Sequence, residues 1–192
     1  DRADLGNDHG EYEHQRDEPI HCAVVLDLIG HDVPIPGYED MLFVMGMESD
    51  ADLAGVIERA PAPDKLRVAA VPNRYVGDTS DHHVFRTHGR PYLFFSCGQW
   101  EHYHMPSDTP EKLNYAKMRR MSEYLVDVVA AVSVEPLIGP FEGYDSTAVE
   151  LGLMKKHAGA LAAQLGLMLE SQADLQRFVE TLVMRYGLLT DR

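Results

Sequence analysis

Three short stretches carry side chains that could do chemistry. "QWEHYHMPSDTPEK" (99–112) sets His102 and His104 one residue apart, between an apolar run and a Ser-Asp-Thr-Pro helix start. "VVLDLIGHD" (24–32) sets Asp27 in an otherwise apolar run. "SDHHVFRTHGRP" (80–91) adds Asp81, His82, His83 and His88. Imidazoles and carboxylates bind metal ions and serve as general acids and bases. A carboxylate inside a buried strand is costly unless it is paired or holds a metal. Each stretch also has a plainer reading. A strand Asp is often satisfied by backbone amides, and loop histidines are often only that. No spacing here fits a compact zinc finger.

The elements that must position these residues follow from periodicity. "HCAVVLDLIG" (21–30), "MLFVMG" (41–46), "LRVAAV" (66–71) and "PYLFFS" (91–96) read as strands. "SDADLAGVIERA" (49–60) opens with capping residues and has helical spacing at Leu53, Val56 and Ile57. A long polar loop fills 72–90, and loops of that length inside a domain are usually functional or mobile. From Thr109 the pattern predicts a long helix, with Pro110 in its first position and Met121, Tyr124 and Val128 on one face. Pro136, Gly139 and Pro140 then interrupt the pattern. Two further helices are expected over about 147–169 and 172–187, the second with Ser171 and Asp174 at capping-box spacing and Gly187 at its end.

Strand and helix order gives an α/β fold. Sites in such sheets lie beyond the carboxyl ends of the strands. On that rule Asp27 and the loops after the third and fourth strands are expected at one edge. The helices over 147–187 read as an appendage or an oligomer contact.

Bulk properties bound the partners. The chain has 192 residues, 45% of them hydrophobic, enough for a domain with a real core. Its formal net charge of −14 repels phosphate backbones, so nucleic acid is not an expected partner. No apolar run is long enough to span a membrane. The two cysteines, Cys22 and Cys97, lie in apolar runs and read as buried thiols, with a bridge left open. The acidic opening "DRADLGNDHGEYEHQRDEP" lacks an initiator Met, and the chain reads as a piece of a longer protein.

Taken in order, "LDLIG" (26–30), "FVMG" (43–46), "SDHHVF" (80–85) with Gly89 and Pro91, and "YHMPSDT" (103–109) resemble the C-terminal half of a known family. It is that of the di-zinc exopeptidases typified by the bacterial leucyl aminopeptidases, metallopeptidase family twenty-eight of clan MH. The resemblance covers about residues 20–133. It implies the C-terminal part of a three-layer α/β/α sandwich with a mixed sheet. The expected division is an acidic lead-in (1–19), the peptidase-like portion (20–134) and a helical extension (135–192).

The resemblance also implies a site with two zinc ions. Asp27 would bind one zinc and His104 the other. His82 would face the scissile carbonyl and stabilise the oxyanion. Asp108, Asp81 and Tyr103 would stand behind the ligands and orient them, while His102 has no family role. The implied substrate is a peptide with a free N-terminus, and the family suggests export or the periplasm. The family also uses an upstream "HxD" pair and a "Glu-Glu" pair, which supply the general base and further ligands. Neither pattern occurs in this chain, which is therefore expected to need an upstream half and to be inactive alone. Two alternatives stand beside this reading: a catalytically silent binding module of the same fold, and a single-zinc aminoacyl transferase like the glutaminyl cyclases.

Overall fold

A computed structural model describes residues 20–138 and 145–186. Four strands form one mixed sheet: β1 (Ala23–Leu26), β2 (Met41–Met45), β3 (Arg67–Ala70) and β4 (Tyr92–Ser96), in the spatial order β1-β4-β2-β3. β1 pairs parallel with β4, and β2 pairs parallel with β3. The central pair, β2 with β4, is antiparallel, in a register that sets Val44 opposite Phe95. Every residue of β2 and β4 is buried, as expected for strands covered on both faces. β1 is shorter than its apolar run and lies at the sheet edge, with Leu26 half exposed.

The helices are α1 (Ala51–Arg59), α2 (Asn73–Val76), α3 (His82–Thr87), α4 (Tyr115–Val132), α5 (Thr147–Gln164) and α6 (Gln172–Tyr186). Successive strand residues point to opposite faces. Phe95 meets Tyr124 of α4 edge-on, whereas Phe94 stacks on His82 of α3. α3 and α4 therefore cover opposite faces, and the three layers expected from the resemblance are present. α5 packs along β3, and its Leu153, Met154, Ala158 and Leu161 join the same core as the sheet. Of the two helices expected as an appendage or oligomer contact, α5 is thus built onto the sheet, and α6 packs on α5 and α2. Gly187 lies outside the described residues.

Two helix starts differ from expectation in instructive ways. Asp50 caps α1 by accepting the Asp52 N–H at 3.0 Å, as the local sequence suggests. Thr109, however, does not open α4. Pro110–Lys112 form a single 3-10 turn, Leu113 returns to extended backbone, and Asn114 caps the helix by accepting from the Lys117 N–H. The reason is tertiary. The Asn114 N–H donates to Gly30 O at 2.8 Å and its side-chain amide donates to Asp32 Oδ1 at 2.8 Å. These bonds hold the chain out of the helix for one more turn.

Lys117 is fully buried on α4. Its ammonium donates to His31 O at 2.9 Å and to Glu39 O at 2.8 Å, tying the 28–39 loop to the helix. Met118 packs under Gly30, where any Cβ would meet its sulfur at 2.9 Å. A buried cation with two carbonyl partners is stable only while both are present. Replacing Lys117 with Ala removes the cation and strands both carbonyls.

Glu150 of α5 is also fully buried. It accepts from Ser146 Oγ at 2.8 Å, and burial pushes its pKa up to about 7. A carboxyl raised in the fold contributes stability that is complete below its ordinary value and lost as pH rises through the folded one. Its window is about pH 4.5 to 7. His31 acts with the opposite sign, because burial and Lys117 lower it to about 4. Its contribution is complete above 6.5 and lost as pH falls toward 4.

Two predictions follow from this packing. Lys117→Ala should cost about 2–4 kcal/mol in a urea melt, and an unchanged midpoint would remove its anchoring role. Glu150→Gln should lose the part of the wild-type stability decline between about pH 4.5 and 7 that Glu150 causes, up to roughly 3 kcal/mol. Parallel stability–pH curves for the two proteins would overturn that assignment.

Candidate active site

Asp27 follows the last residue of β1 rather than lying inside the strand. Its backbone N–H donates to Phe95 O at 3.2 Å. One carboxylate oxygen accepts the Leu28 N–H at 2.8 Å, and the other accepts Ser80 Oγ at 2.8 Å. Leu28 has a φ of 52°, in the left-handed region that a leucine avoids. The conformation is held by a bond from the Cys97 N–H to Leu28 O at 3.0 Å. Asp27 lines a small pocket with Thr79, Ser96, Gly98, Gln99 and Tyr103.

His104 carries the same backbone signature. Its φ is 56°, and its imidazole stacks on the Tyr103 ring at 3.8 Å. It is exposed, and it is not among the residues lining the Asp27 pocket, whereas Tyr103 is. Among the described residues only Leu28, Lys65 and His104 are non-glycine positions with positive φ. Two of these three fall on, or next to, the ligands expected from sequence. Strained backbone concentrates where a side chain must be presented in a fixed direction.

The loop bearing His104 is braced from behind. Trp100, the single tryptophan of the chain, stacks on His31 at 4.6 Å and meets His102 edge-on at 4.8 Å. Its indole N–H donates to Asp108 Oδ1 at 3.1 Å. His102 in turn pairs with Ser107 Oγ at 2.9 Å. Asp108 therefore fixes Trp100 rather than contacting His104. His102, without an assigned role from sequence, is part of this brace.

His82 is placed differently from the expectation. It is fully buried, its ring stacks on Phe94 at 4.3 Å, and its Nε2–H faces Gly77 O at 3.1 Å. Burial lowers its pKa, so it is held neutral. It is not itself a lining residue of the Asp27 pocket, but Phe94, on which it stacks, is one of that pocket's walls. In this arrangement His82 ties α3 to the sheet. Asp81 is exposed at the start of α3 and makes no capping bond.

Ser80 is the residue that sequence reading passed over. It lies in the quoted "SDHHVF" stretch, where attention fell on the neighbouring acid and imidazole. Cys22 and Cys97 are free thiols, and burial pushes Cys22 up to about 12, far from thiolate chemistry.

The metal implied by the resemblance can be tested against this donor set. No group of three or more His, Cys, Asp or Glu side chains among the described residues could hold a metal ion. Asp27 and His104 are one donor each, and Asp27 spends both oxygens on protein donors. The described residues alone do not fit a zinc site. No helix among them is long and apolar enough to cross a membrane.

The model of peptidase family M28 matches residues 5–129, the larger part of the chain. No curated protein and no solved structure matches it.

The brace makes Trp100 a built-in probe of its own geometry. Protonation of a stacked imidazole quenches indole fluorescence. His102 also touches Trp100, so the test is made in a His102→Phe background: there quenching should set in only as pH falls toward about 4, the value to which His31 is lowered, and adding His31→Phe should abolish it. Quenching in that background that is unchanged by adding His31→Phe would show that the His31 stack does not form.

Proposed function

The chain belongs to peptidase family M28, and from that premise we propose that it supplies Asp27 and His104 to the metal site of a zinc-dependent aminopeptidase. Family membership supports a metallopeptidase-like hydrolase function. The observation that carries the finer reading is the backbone strain shared by the two positions, at Leu28 beside Asp27 and at His104 itself. Neither strain is needed to build the sheet or the helices.

Each residue has a definite task on this reading. Ser80 and the Leu28 N–H orient the Asp27 carboxylate. Such supporting bonds set the direction and basicity of a metal ligand. Tyr103 stacks on the His104 ring and is one wall of the Asp27 pocket. Zinc, when bound, supplies an activated water and a Lewis acid for peptide hydrolysis. The remaining donors and the general base come from residues other than those described. The substrate is a peptide with a free N-terminus. The net charge of −14 favours a cationic α-ammonium over an anionic chain end.

Two measurements test the reading. Dialysis of this chain against trace zinc, followed by metal analysis, should show weak and substoichiometric uptake. Two tightly held zinc ions per chain would overturn the claim that further donors are required. In the protein carrying the complete donor set, aminoacyl-p-nitroanilide hydrolysis should be lost on chelation. There His104→Ala should lower kcat/KM by about a hundredfold or more, and Ser80→Ala by about tenfold. Normal turnover after His104→Ala would remove its role.

A further inference from the structure

Two glutamates from distant parts of the chain share one stretch of the interior. Glu48 lies in the 3-10 turn Met47–Ser49 that follows β2, and Glu150 lies fully buried in the first turn of α5. Glu48 accepts the Asn73 N–H with one oxygen at 2.8 Å, and Glu150 accepts Ser146 Oγ with one oxygen at 2.8 Å. Each is left with the same kind of orphan. Glu48 Oε2 and Glu150 Oε2 are both shielded from solvent, and neither has a donor. The negative charge of Glu48 acts on Glu150, so the two carboxyls feel each other through the interior.

Native folds rarely leave buried polar atoms unpaired, and each such atom calls for an explanation. Two neighbouring carboxyls in a dry interior do not both ionise freely, because like charges there repel strongly. A single proton held between them relieves the charge and satisfies both orphan oxygens at once. One carboxyl then donates its O–H to the other's oxygen, a charge-assisted bond and among the stronger kinds. Shielding from solvent, which would hide these atoms from any outside ligand, is what such a bond requires. We propose that Glu48 and Glu150 share one proton between their Oε2 atoms, forming a latch that closes α5 onto the turn after β2 and opens when that proton is lost in alkaline solution.

The surrounding charges fit a pair that carries one negative charge. Arg74 of α2 acts on both carboxyls and favours their ionised forms, so it meets the charge that remains. Arg86 of α3 is held by Asp78, and burial raises the Tyr92 phenol of β4, which stays neutral. Asp145, just before α5, adds a like charge smaller in effect than that of Glu48. Asp50, next to the turn, caps α1 and accepts the Ile138 N–H. Arg67 of β3 is paired with Asp40, and on α6 Asp174 is closed on Ser171 and Arg177. Loss of the shared proton leaves two carboxylates in repulsion, and the strain falls on the first turn of α5. The latch also reaches the Asp27 pocket. Glu48 holds the first residue of α2, and Val76, its last, lines that pocket. None of this rests on the peptidase reading.

Carbon NMR titration of the side-chain carboxyls in this chain tests the proposal. The Glu48 and Glu150 signals, assigned through the backbone, should move together in the same two steps, the later near pH 7. This needs no variant, so it decides the matter even where a substitution perturbs folding. Glu48→Gln removes the like charge and offers an N–H to Glu150, so it should lower the proton affinity of Glu150 by about tenfold or more. Protection of the 147–151 amides from hydrogen exchange should fall above the later step in the wild type and hold in Glu48→Gln. Separate single steps for the two signals would overturn the proposal and leave Glu150 a lone buried acid. A Glu150 step that Glu48→Gln leaves in place would overturn it too. So would wild-type protection that is constant across the later step.

Discussion

Strands β2 and β4 run antiparallel through the middle of an otherwise parallel pairing, joined from Phe43↔Ser96 to Met45↔Phe94. The turn after β2 is only possible because residue 46 is glycine. Its φ is 94°, and a Cβ there would sit 2.5 Å from the Tyr92 carbonyl. That close approach lets Ser49 exchange two hydrogen bonds with the Tyr92 backbone and lock the start of β4 in place. The junction divides the sheet by direction. Carboxyl ends of β1 and β4 face one way, and those of β2 and β3 face the other. Asp27 and the 97–109 loop share the first end, while Glu48 and Asn73 share the second. The segment after β3 therefore starts far from Asp27 and must cross the face of the sheet to bring Ser80 to it.

The Asp27 end is a set of strained turns held by bonds from outside. Left-handed backbone at a residue with a side chain costs about 1–2 kcal/mol, so Leu28 and His104 need support. Cys97 supports the first through its N–H to Leu28 O. Lys117 and Asn114 hold the loop beyond it, and the Trp100 stack holds the loop of His104. A net hydrogen bond is worth about 1 kcal/mol. Several together offset the strain, whereas any one alone would only balance it. Direction is gained in exchange: the carboxylate and the imidazole are presented by backbone that has one conformation available.

Buried ionisable groups pull on the fold in opposite senses. Glu150 and Glu48 are raised by burial, and His31 and His82 are lowered. All four are shifted toward the uncharged form, as desolvation requires. The carboxyls favour the acidic side of neutrality and the imidazoles the alkaline side. The windows of Glu150 and His31 overlap, so between about pH 4.5 and 6.5 one contribution falls with pH while the other rises.

Much was fixed by the residues themselves. Apolar runs located all four strands, because burial on both faces demands continuous hydrophobic sequence. Capping chemistry located α1 and the Ser171–Asp174 start of α6, because a side-chain oxygen next to a free N–H is a local event. The order of "LDLIG", "SDHHVF" and "YHMPSDT" was enough to give the family. Contacts between distant segments were not legible. Nothing local says that Asn114 will be held by Gly30, that Lys117 will be buried, or that Ser80 will cross the sheet to Asp27. Strand direction decided that the carboxyl ends would be split between two ends of the sheet. Packing decided that His82 would lie buried against Phe94, behind one wall of the Asp27 pocket. A motif gives the types of side chain present. Only the pairing of strands 20 to 70 residues apart decides which of them face the same space.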